Sequence, residues 1–168
     1  MQSPASLTVA ILAPFLGAFA DNIGPRKPWV ALFSVFYVVG AASLWFITPA
    51  DPEPWLLLLG FAIGLIGVEF ATVFTNAMLP DLGSKEEVGR ISGSGWALGY
   101  VGGTIALLVV LAFLVPLPGT DRTLAQIPPI LGTEGFVGER ATGPLTALWY
   151  LIFMIPFFLW TGDVGRKN

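Results

Sequence analysis

Five long apolar stretches divide the 168-residue chain, and they constrain its fold more than any other feature. A helix that crosses the hydrocarbon core of a bilayer needs roughly 20 mostly apolar residues, with a range of about 17–25. Each stretch reaches or nearly reaches this length, and the first is the shortest. The sequence therefore predicts one transmembrane domain over residues 1–168, with spans at about 5–20, 29–48, 55–79, 91–116 and 144–160.

The overall composition requires the same non-aqueous solvent. Hydrophobic residues make up 55% of the chain, charged residues make up 11%, and the mean hydropathy is +0.78. A soluble domain carries about 25% charged residues, and one core of this size could not hide so much apolar surface from water. We therefore predict an all-α, polytopic transmembrane helix bundle in contact with the lipid bilayer.

The absence of two residue types excludes several classes of function. The chain contains no Cys and no His, which removes thiol nucleophiles, imidazole general bases and the usual ligands of zinc or haem. The predicted spans also lack paired carboxylates, so we expect no enzyme, no catalytic residue, no metal site and no cofactor. A net charge of −3 without a basic block argues against nucleic acid as a partner.

The cations of the connecting segments are distributed unevenly. When the five spans are threaded in order, one side receives six of the eight Lys and Arg residues: Arg26, Lys27, Lys85, Arg90, Arg166 and Lys167. The other two, Arg122 and Arg140, lie in the long loop predicted over residues 117–143. Because Lys and Arg are enriched in cytoplasmic loops, we expect a multi-pass protein of the cytoplasmic (inner) membrane. Its N-terminus and long loop would be outside and its C-terminus inside.

The N-terminal stretch leaves three interpretations open. An outside N-terminus with a short first helix and no basic flank indicates a missing helix upstream, which would make the chain a fragment. A five-helix protein with its N-terminus outside is the alternative. A third interpretation is a signal peptide, because the apolar stretch ends in Ala18-Phe19-Ala20, although no Lys or Arg precedes it.

A short loop joins the first two predicted spans and reads Gly17-Ala18-Phe19-Ala20-Asp21-Asn22-Ile23-Gly24-Pro25-Arg26-Lys27. Small residues such as Gly17 let two helices approach closely, and Gly24 permits a tight turn. Asp21 can cap a helix or pair with a cation, while Arg26 and Lys27 hold the loop inside.

This loop resembles the signature loop between the second and third helices of major facilitator transporters. The resemblance implies a conformational-switch loop formed by Gly17, Asp21, Gly24, Arg26 and Lys27. Asn22 and Pro25 stand where the family pattern has cations, so we expect a weaker charge network here.

A second motif covers residues 74–103. It begins Phe74-Thr75-Asn76-Ala77-Met78-Leu79-Pro80-Asp81 and continues Gly89-Arg90-Ile91-Ser92-Gly93-Ser94-Gly95-Trp96-Ala97-Leu98-Gly99-Tyr100-Val101-Gly102-Gly103. Its order and spacing resemble the vacuole-effluxer-like branch of the major facilitator superfamily. The resemblance covers about residues 5–160 and implies helices two to six of a twelve-helix transporter. It thereby implies an N-terminal-half fragment without its first helix, and efflux of amino acids or similar small polar solutes.

Small residues of this motif recur at helical spacing. Gly95, Gly99 and Gly103 follow one another every four residues and so share one helix face, which Ser92 and Gly102 widen. Such a face lets a neighbouring backbone come close, either as static packing or as a sliding surface in a rocking transporter. Trp96 and Tyr100 share a face near the inner end of the span, and we interpret them as membrane-interface aromatics.

Glu69 is the one carboxylate within a predicted span, roughly 3 Å in axial rise from its centre. A charge there costs about 2.5–3.5 kcal/mol on insertion scales, so it should face protein or a water-filled cavity. Thr72 and Asn76 follow at three and seven residues and share its helical face. We predict that the three side chains bind a proton, a cation or a polar substrate. A protonated Glu69 that hydrogen-bonds to a neighbouring helix is the structural alternative.

Together these features favour part of a secondary active transporter that moves a small polar solute, with proton coupling as one option. The rival hypothesis is a small membrane scaffold or assembly subunit that binds partner helices through its glycine face. The scaffold predicts that Glu69→Ala is tolerated.

Overall fold

The protein is described by a computed structural model that covers residues 25–49 and 53–162. The first predicted span, and with it Gly17, Asp21 and Gly24 of the predicted switch loop, lies outside the described residues. The described part forms four α-helices: α1 (Lys27–Ser43), α2 (Pro54–Met78), α3 (Lys85–Phe113) and α4 (Val137–Trp160). Short 3-10 helices follow α1 and α2 and precede α4, at Leu44–Phe46, Leu79–Asp81 and Glu134–Phe136.

All four helices of the described ranges are long and apolar enough to cross a membrane. The 29 residues of α3 correspond to about 43 Å, which exceeds the roughly 30 Å hydrocarbon core. The predicted all-α, polytopic transmembrane bundle is confirmed for the described part of the chain.

The last helix begins earlier than the sequence predicted. It starts at Val137, so Pro144 lies inside the helix and the preceding connection is shorter than residues 117–143. The sequence predicts only the apolar stretch 144–160, and the helix also includes the more polar residues 137–143 before it. A helix can continue past the hydrocarbon core into the polar interface, where charged residues are tolerated.

Local sequence explains where the helices begin. Proline occupies the first turn of α1 and of α2, where its missing N–H would have no helical partner. A capping box starts α3: the Ser84 backbone N–H donates to Glu87 Oε2 at 3.0 Å, and the Ser84 side chain accepts from the backbone of Glu87.

Helix α1 packs against both α2 and α4, and glycines make this possible. A Cβ atom added to Gly40 would collide with the backbone of Gly64, and one added to Gly67 would collide with the backbone of Tyr37. On the other side, a Cβ at Gly143 of α4 would strike the carbonyl oxygen of Ala41. Backbones therefore touch directly at both crossings, as in small-residue packing between membrane helices.

An aromatic cluster fills the space near the N-terminal end of α1. Val30 and Phe74 are fully buried there, and Phe33 and Phe74 stack with ring centroids 5.8 Å apart. Further along α1, the buried Ser34 hydroxyl lies 2.8 Å from the Tyr150 hydroxyl of α4. Polar contacts of this kind join membrane helices that apolar packing alone would hold weakly.

Helix α3 is the exception within the described residues, because it contains no buried residue. It meets the other helices near its two ends. A 3-10 helix and the short turn before Ser84 connect it to α2, and the Leu114 carbonyl lies against Gly138 of α4. The arrangement therefore consists of a tight α1–α2–α4 unit and a loosely attached α3.

The glycine contacts generate a stability prediction with a control on the same helix. Gly67→Ala should destabilise the protein by about 1–3 kcal/mol, because its methyl group has no space beside Tyr37. Gly64→Ala should be neutral or stabilising by up to about 1 kcal/mol, because its Cβ would lie 3.7 Å from its nearest neighbours and alanine favours a helix. Thermal unfolding midpoints of the purified protein in detergent measure both effects. Equal midpoints for the two variants would contradict the packing described here.

Candidate functional site

An open groove of about 500 Å³ lies between the C-terminal end of α2 and the N-terminal half of α3. This volume falls within the range of roughly 300–1,000 Å³ that is common for ligand pockets. The lining residues are Thr72, Thr75 and Asn76 from α2, Leu79 from the 3-10 helix that follows it, and Ile91, Ser92, Gly95, Trp96, Gly99 and Tyr100 from α3. In each helix these positions recur at spacings of three and four, so each helix presents one face to the groove.

The groove brings together two sets of residues that the sequence had singled out separately. Thr72 and Asn76 line the same groove as Ser92, Gly95 and Gly99. A Cβ atom added at either glycine would meet nothing within 4 Å, so no helix of the described part covers this face of α3. Gly102 and Gly103 also border open space, but they do not line the groove.

The polar groups of the groove can exchange hydrogen bonds with a solute. The Thr72 hydroxyl donates to the Val68 carbonyl at 2.7 Å and the Thr75 hydroxyl to the Ala71 carbonyl at 2.8 Å, so their oxygen lone pairs remain available as acceptors. Within the described ranges, the Asn76 side chain makes no hydrogen bond. Its amide therefore offers both donors and an acceptor to a solute.

Glu69 does not belong to the residues that line the groove. It is half-buried and lies about 4.5 Å in axial rise, nearly one turn, before Thr72. Its carboxylate has no hydrogen bond or ion pair to any other residue in the described part of the chain. Across residues 25–49 and 53–162, no cluster of three or more His, Cys, Asp or Glu residues could hold a metal ion. The described groove is therefore lined by uncharged groups, with one unpaired carboxylate beyond its end.

Two aromatic side chains belong to the groove and were not expected there. Trp96 and Tyr100 are 60% and 73% exposed, and their ring centroids are 6.3 Å apart. The sequence predicts them as membrane-interface residues, and the structure shows that they also line the groove on the α3 side. Their positions in the sequence could have indicated this, because each aromatic residue directly follows a glycine of the repeat, Gly95 or Gly99.

Arg26 and Lys27, at the basic end of the predicted switch loop, connect α1 with the ends of α2 and α4 beside the groove. Arg26 donates to Asp81 Oδ2 over 2.6 Å, and Lys27 Nζ donates to the Phe158 carbonyl at 3.0 Å. The first contact joins the start of α1 to the end of α2, and the second caps the C-terminal end of α4. Asp81 follows the groove residue Leu79 by two positions. The sequence had not identified it as a partner, since Lys85 and Arg90 are nearer in the chain.

Comparison with known proteins identifies the family of the chain. Residues 1–107 match the Major Facilitator Superfamily. The chain belongs to this family. Members of the Major Facilitator Superfamily are membrane transporters.

Two curated relatives are similar to this Major Facilitator Superfamily chain. An uncharacterized MFS-type transporter, YxiO, of Bacillus subtilis (strain 168) is 32% identical over 149 residues, which cover 88% of this chain and 32% of the relative. An uncharacterized protein of Aquifex aeolicus (strain VF5) is 39% identical over 97 residues, which cover 58% of this chain and 24% of the relative. The chain thus spans about a third or less of the length of these relatives. No solved structure matches it.

The ion pair beside the groove gives a prediction about stability. The Arg26 side chain is 15% exposed and that of Asp81 is 38% exposed, so their contact is partly shielded from water. Asp81→Asn should lower the free energy of unfolding by about 0.5–2 kcal/mol, between the values for exposed ion pairs and for charged hydrogen bonds. Thermal unfolding in detergent at low and high salt measures the loss.

The control is Asp121→Asn, which makes the same substitution at an exposed aspartate of the connection between α3 and α4. It should leave the unfolding midpoint nearly unchanged. If Asp81→Asn and Asp121→Asn behaved alike, the Arg26–Asp81 contact would contribute nothing measurable.

Proposed function

We propose that the chain is part of a secondary active transporter that moves a small polar solute by alternating access, and that the α2–α3 groove forms one wall of the solute path. The observation that carries this proposal is that Thr72 and Asn76 line the same groove as Ser92. Polar side chains of two neighbouring membrane helices that face one open space, and not lipid, are the arrangement expected of a solute path.

The chemistry of the groove supports a small polar solute. Hydroxyl and amide groups provide both donors and acceptors, Trp96 and Tyr100 add apolar ring surface, and no charged side chain lines the groove. An amino acid or a solute of similar size fits this mixture. The resemblance of residues 74–103 to the vacuole-effluxer-like branch supports efflux as the direction.

Glu69 is our candidate for the coupling site. It lies beyond the groove on the face that carries Thr72 and Asn76, so a proton or cation bound there would be close to the solute path. We further propose that the loop of Arg26 and Lys27, with Gly17, Asp21 and Gly24 before them, acts as a conformational switch. The contact between Arg26 and Asp81 at the groove end supports that role.

The solute path needs a second wall. Transporters of this superfamily bind their substrate between two halves near the bilayer midplane. Because the curated relatives extend well beyond the matched region, we propose that helices outside this chain supply the opposite wall. We also propose a cytoplasmic-membrane location, with the N-terminus outside and the C-terminus inside, on the basis of the cation distribution.

The open glycine face of α3 favours a second candidate function, that of a membrane scaffold that binds partner helices. Within the transporter, the part of this face beyond the groove, at Gly102 and Gly103, would receive another helix of the same protein. The two functions differ at Glu69, which a scaffold does not require.

The first test asks whether water reaches the groove. The 168 residues contain no Cys, so once any Cys elsewhere in the full protein is replaced, a single introduced cysteine reports on its own position. Asn76→Cys should react with a small membrane-impermeant thiol reagent in membranes, because residue 76 is exposed in the groove. Phe74→Cys, two residues away and fully buried, is the control and should stay unreactive. Protection of both positions would remove the groove from the solute path.

The second test addresses coupling. Glu69→Gln should abolish solute transport driven by an imposed pH gradient in proteoliposomes that contain the full protein, because the amide cannot release a proton at this depth. Glu134→Gln, an exposed acid of the α3–α4 connection, should transport like the unmodified protein. Unchanged gradient-driven transport by Glu69→Gln would remove Glu69 from the coupling role, whereas no transport by the unmodified protein would favour the scaffold.

A further inference from the structure

The connection between α3 and α4, residues 114–136, exposes large apolar side chains although it is a loop. Leu124 is 46% exposed, Ile127 38%, Ile130 65% and Leu131 46%. A loop that faces water on all sides would leave this apolar surface uncovered. Contiguous exposed apolar residues of this kind mark a contact with a membrane or with another protein.

The loop holds these side chains in a defined place. The Leu124 backbone N–H donates to the Leu111 carbonyl at 2.8 Å, and the Ile130 backbone N–H donates to the Phe113 carbonyl at 2.9 Å. These bonds satisfy two of the last carbonyls of α3, which a helix end leaves without internal partners. Leu124 and Ile130 therefore lie level with the last turn of α3.

The turn between these two bonds is also fixed. Gln126 has a φ of 61°, a left-handed conformation that is unfavourable for a residue other than glycine. Arg122 donates to the Gln126 carbonyl at 2.7 Å, and the fully buried Thr123 donates its backbone N–H to the Ile127 carbonyl at 2.9 Å. Several contacts therefore hold the turn in one conformation. Leu124 and Ile127 are exposed in this ordered conformation.

Helix lengths define the depth of the loop. The charged N-terminal part of α3 ends at Arg90, nearly two turns into the helix, and residues 91–113 then rise about 33 Å, slightly more than the roughly 30 Å hydrocarbon core. Phe113 consequently lies at the boundary between acyl chains and headgroups. In α4, Glu139 and Arg140 precede the apolar residues 141–160, which rise about 29 Å and define the same boundary.

We propose that residues 124–131 form an interfacial segment that inserts Leu124, Ile127, Ile130 and Leu131 into the headgroup–acyl boundary of the bilayer. Lipid is the occupant that the structure favours because the segment is hydrogen-bonded to the last turn of α3, an apolar helix on which Leu107, Leu108 and Phe113 are each more than 40% exposed. The charged residues Asp121, Arg122 and Glu134 flank the segment on both sides and can remain in water. Apolar residues beside charged ones are typical of segments that lie in the interface.

The proposal depends on the fold of residues 85–160 and is independent of the solute. The full protein, which lacks Cys within this chain, would be reconstituted in phospholipid nanodiscs with a nitroxide at Leu124→Cys, Ile127→Cys or Ile130→Cys. Electron paramagnetic resonance then compares the accessibility of each label to oxygen, which concentrates in lipid, and to a water-soluble nickel chelate. Asp121→Cys, an exposed polar position of the same loop, is the matched control.

The expected result is high oxygen and low nickel accessibility at the three apolar positions, and the reverse at position 121. High nickel accessibility at positions 124, 127 and 130 would place the segment in water and overturn the proposal. Low accessibility to both reagents would show that protein covers the patch, either another part of the same protein or a second copy, and would also overturn it.

Discussion

The direct backbone contact of α1 with α2 and α4 is the constraint on which the described bundle depends. In a bilayer, lipid tails are as apolar as the side chains, so helices gain little from the hydrophobic effect when they associate. Attraction must then come from close packing and hydrogen bonds. Gly40 and Gly67 provide the close packing with α2, and Gly143 provides it with α4. The hydrogen bond between Ser34 and Tyr150 adds to the second crossing.

This packing gives α2 two faces with different tasks. The face with Gly67, Phe70 and Phe74 turns to α1 and is buried. Thr72 and Asn76 lie on another face of α2. Helix α1 does not cover that face because α1 packs against the glycine side of α2. A structural face and a solute-facing face can therefore coexist on one helix without competing for the same residues. The glycines of α2 thus determine which side of the helix packs against α1, and the groove lies on a side that is left open.

The sequence predicted the fold class well because apolar length and low charge leave a chain of this kind few alternatives. It also predicted that Thr72 and Asn76 share a face, since helical spacing is a local property. It could not predict that Glu69 lies outside the groove or that Trp96 lies inside it. Those facts depend on how α2 and α3 are placed relative to each other, which no periodicity within one helix specifies.

The same limitation applies to Asp81, whose partner Arg26 is 55 residues away in the chain. Charges close in sequence, such as Arg90 and Glu87, are easier to pair by inspection, yet their atoms are 3.9 Å apart and largely solvated. The distance between Arg26 and Asp81 is shorter because the glycine contacts hold α1 and α2 together. The start of α1 and the end of α2 therefore lie side by side. The ion pair is in this sense a consequence of the helix crossing. Its position at the groove end also means that a change in the crossing angle of α1 and α2 would act on the contact and the groove together.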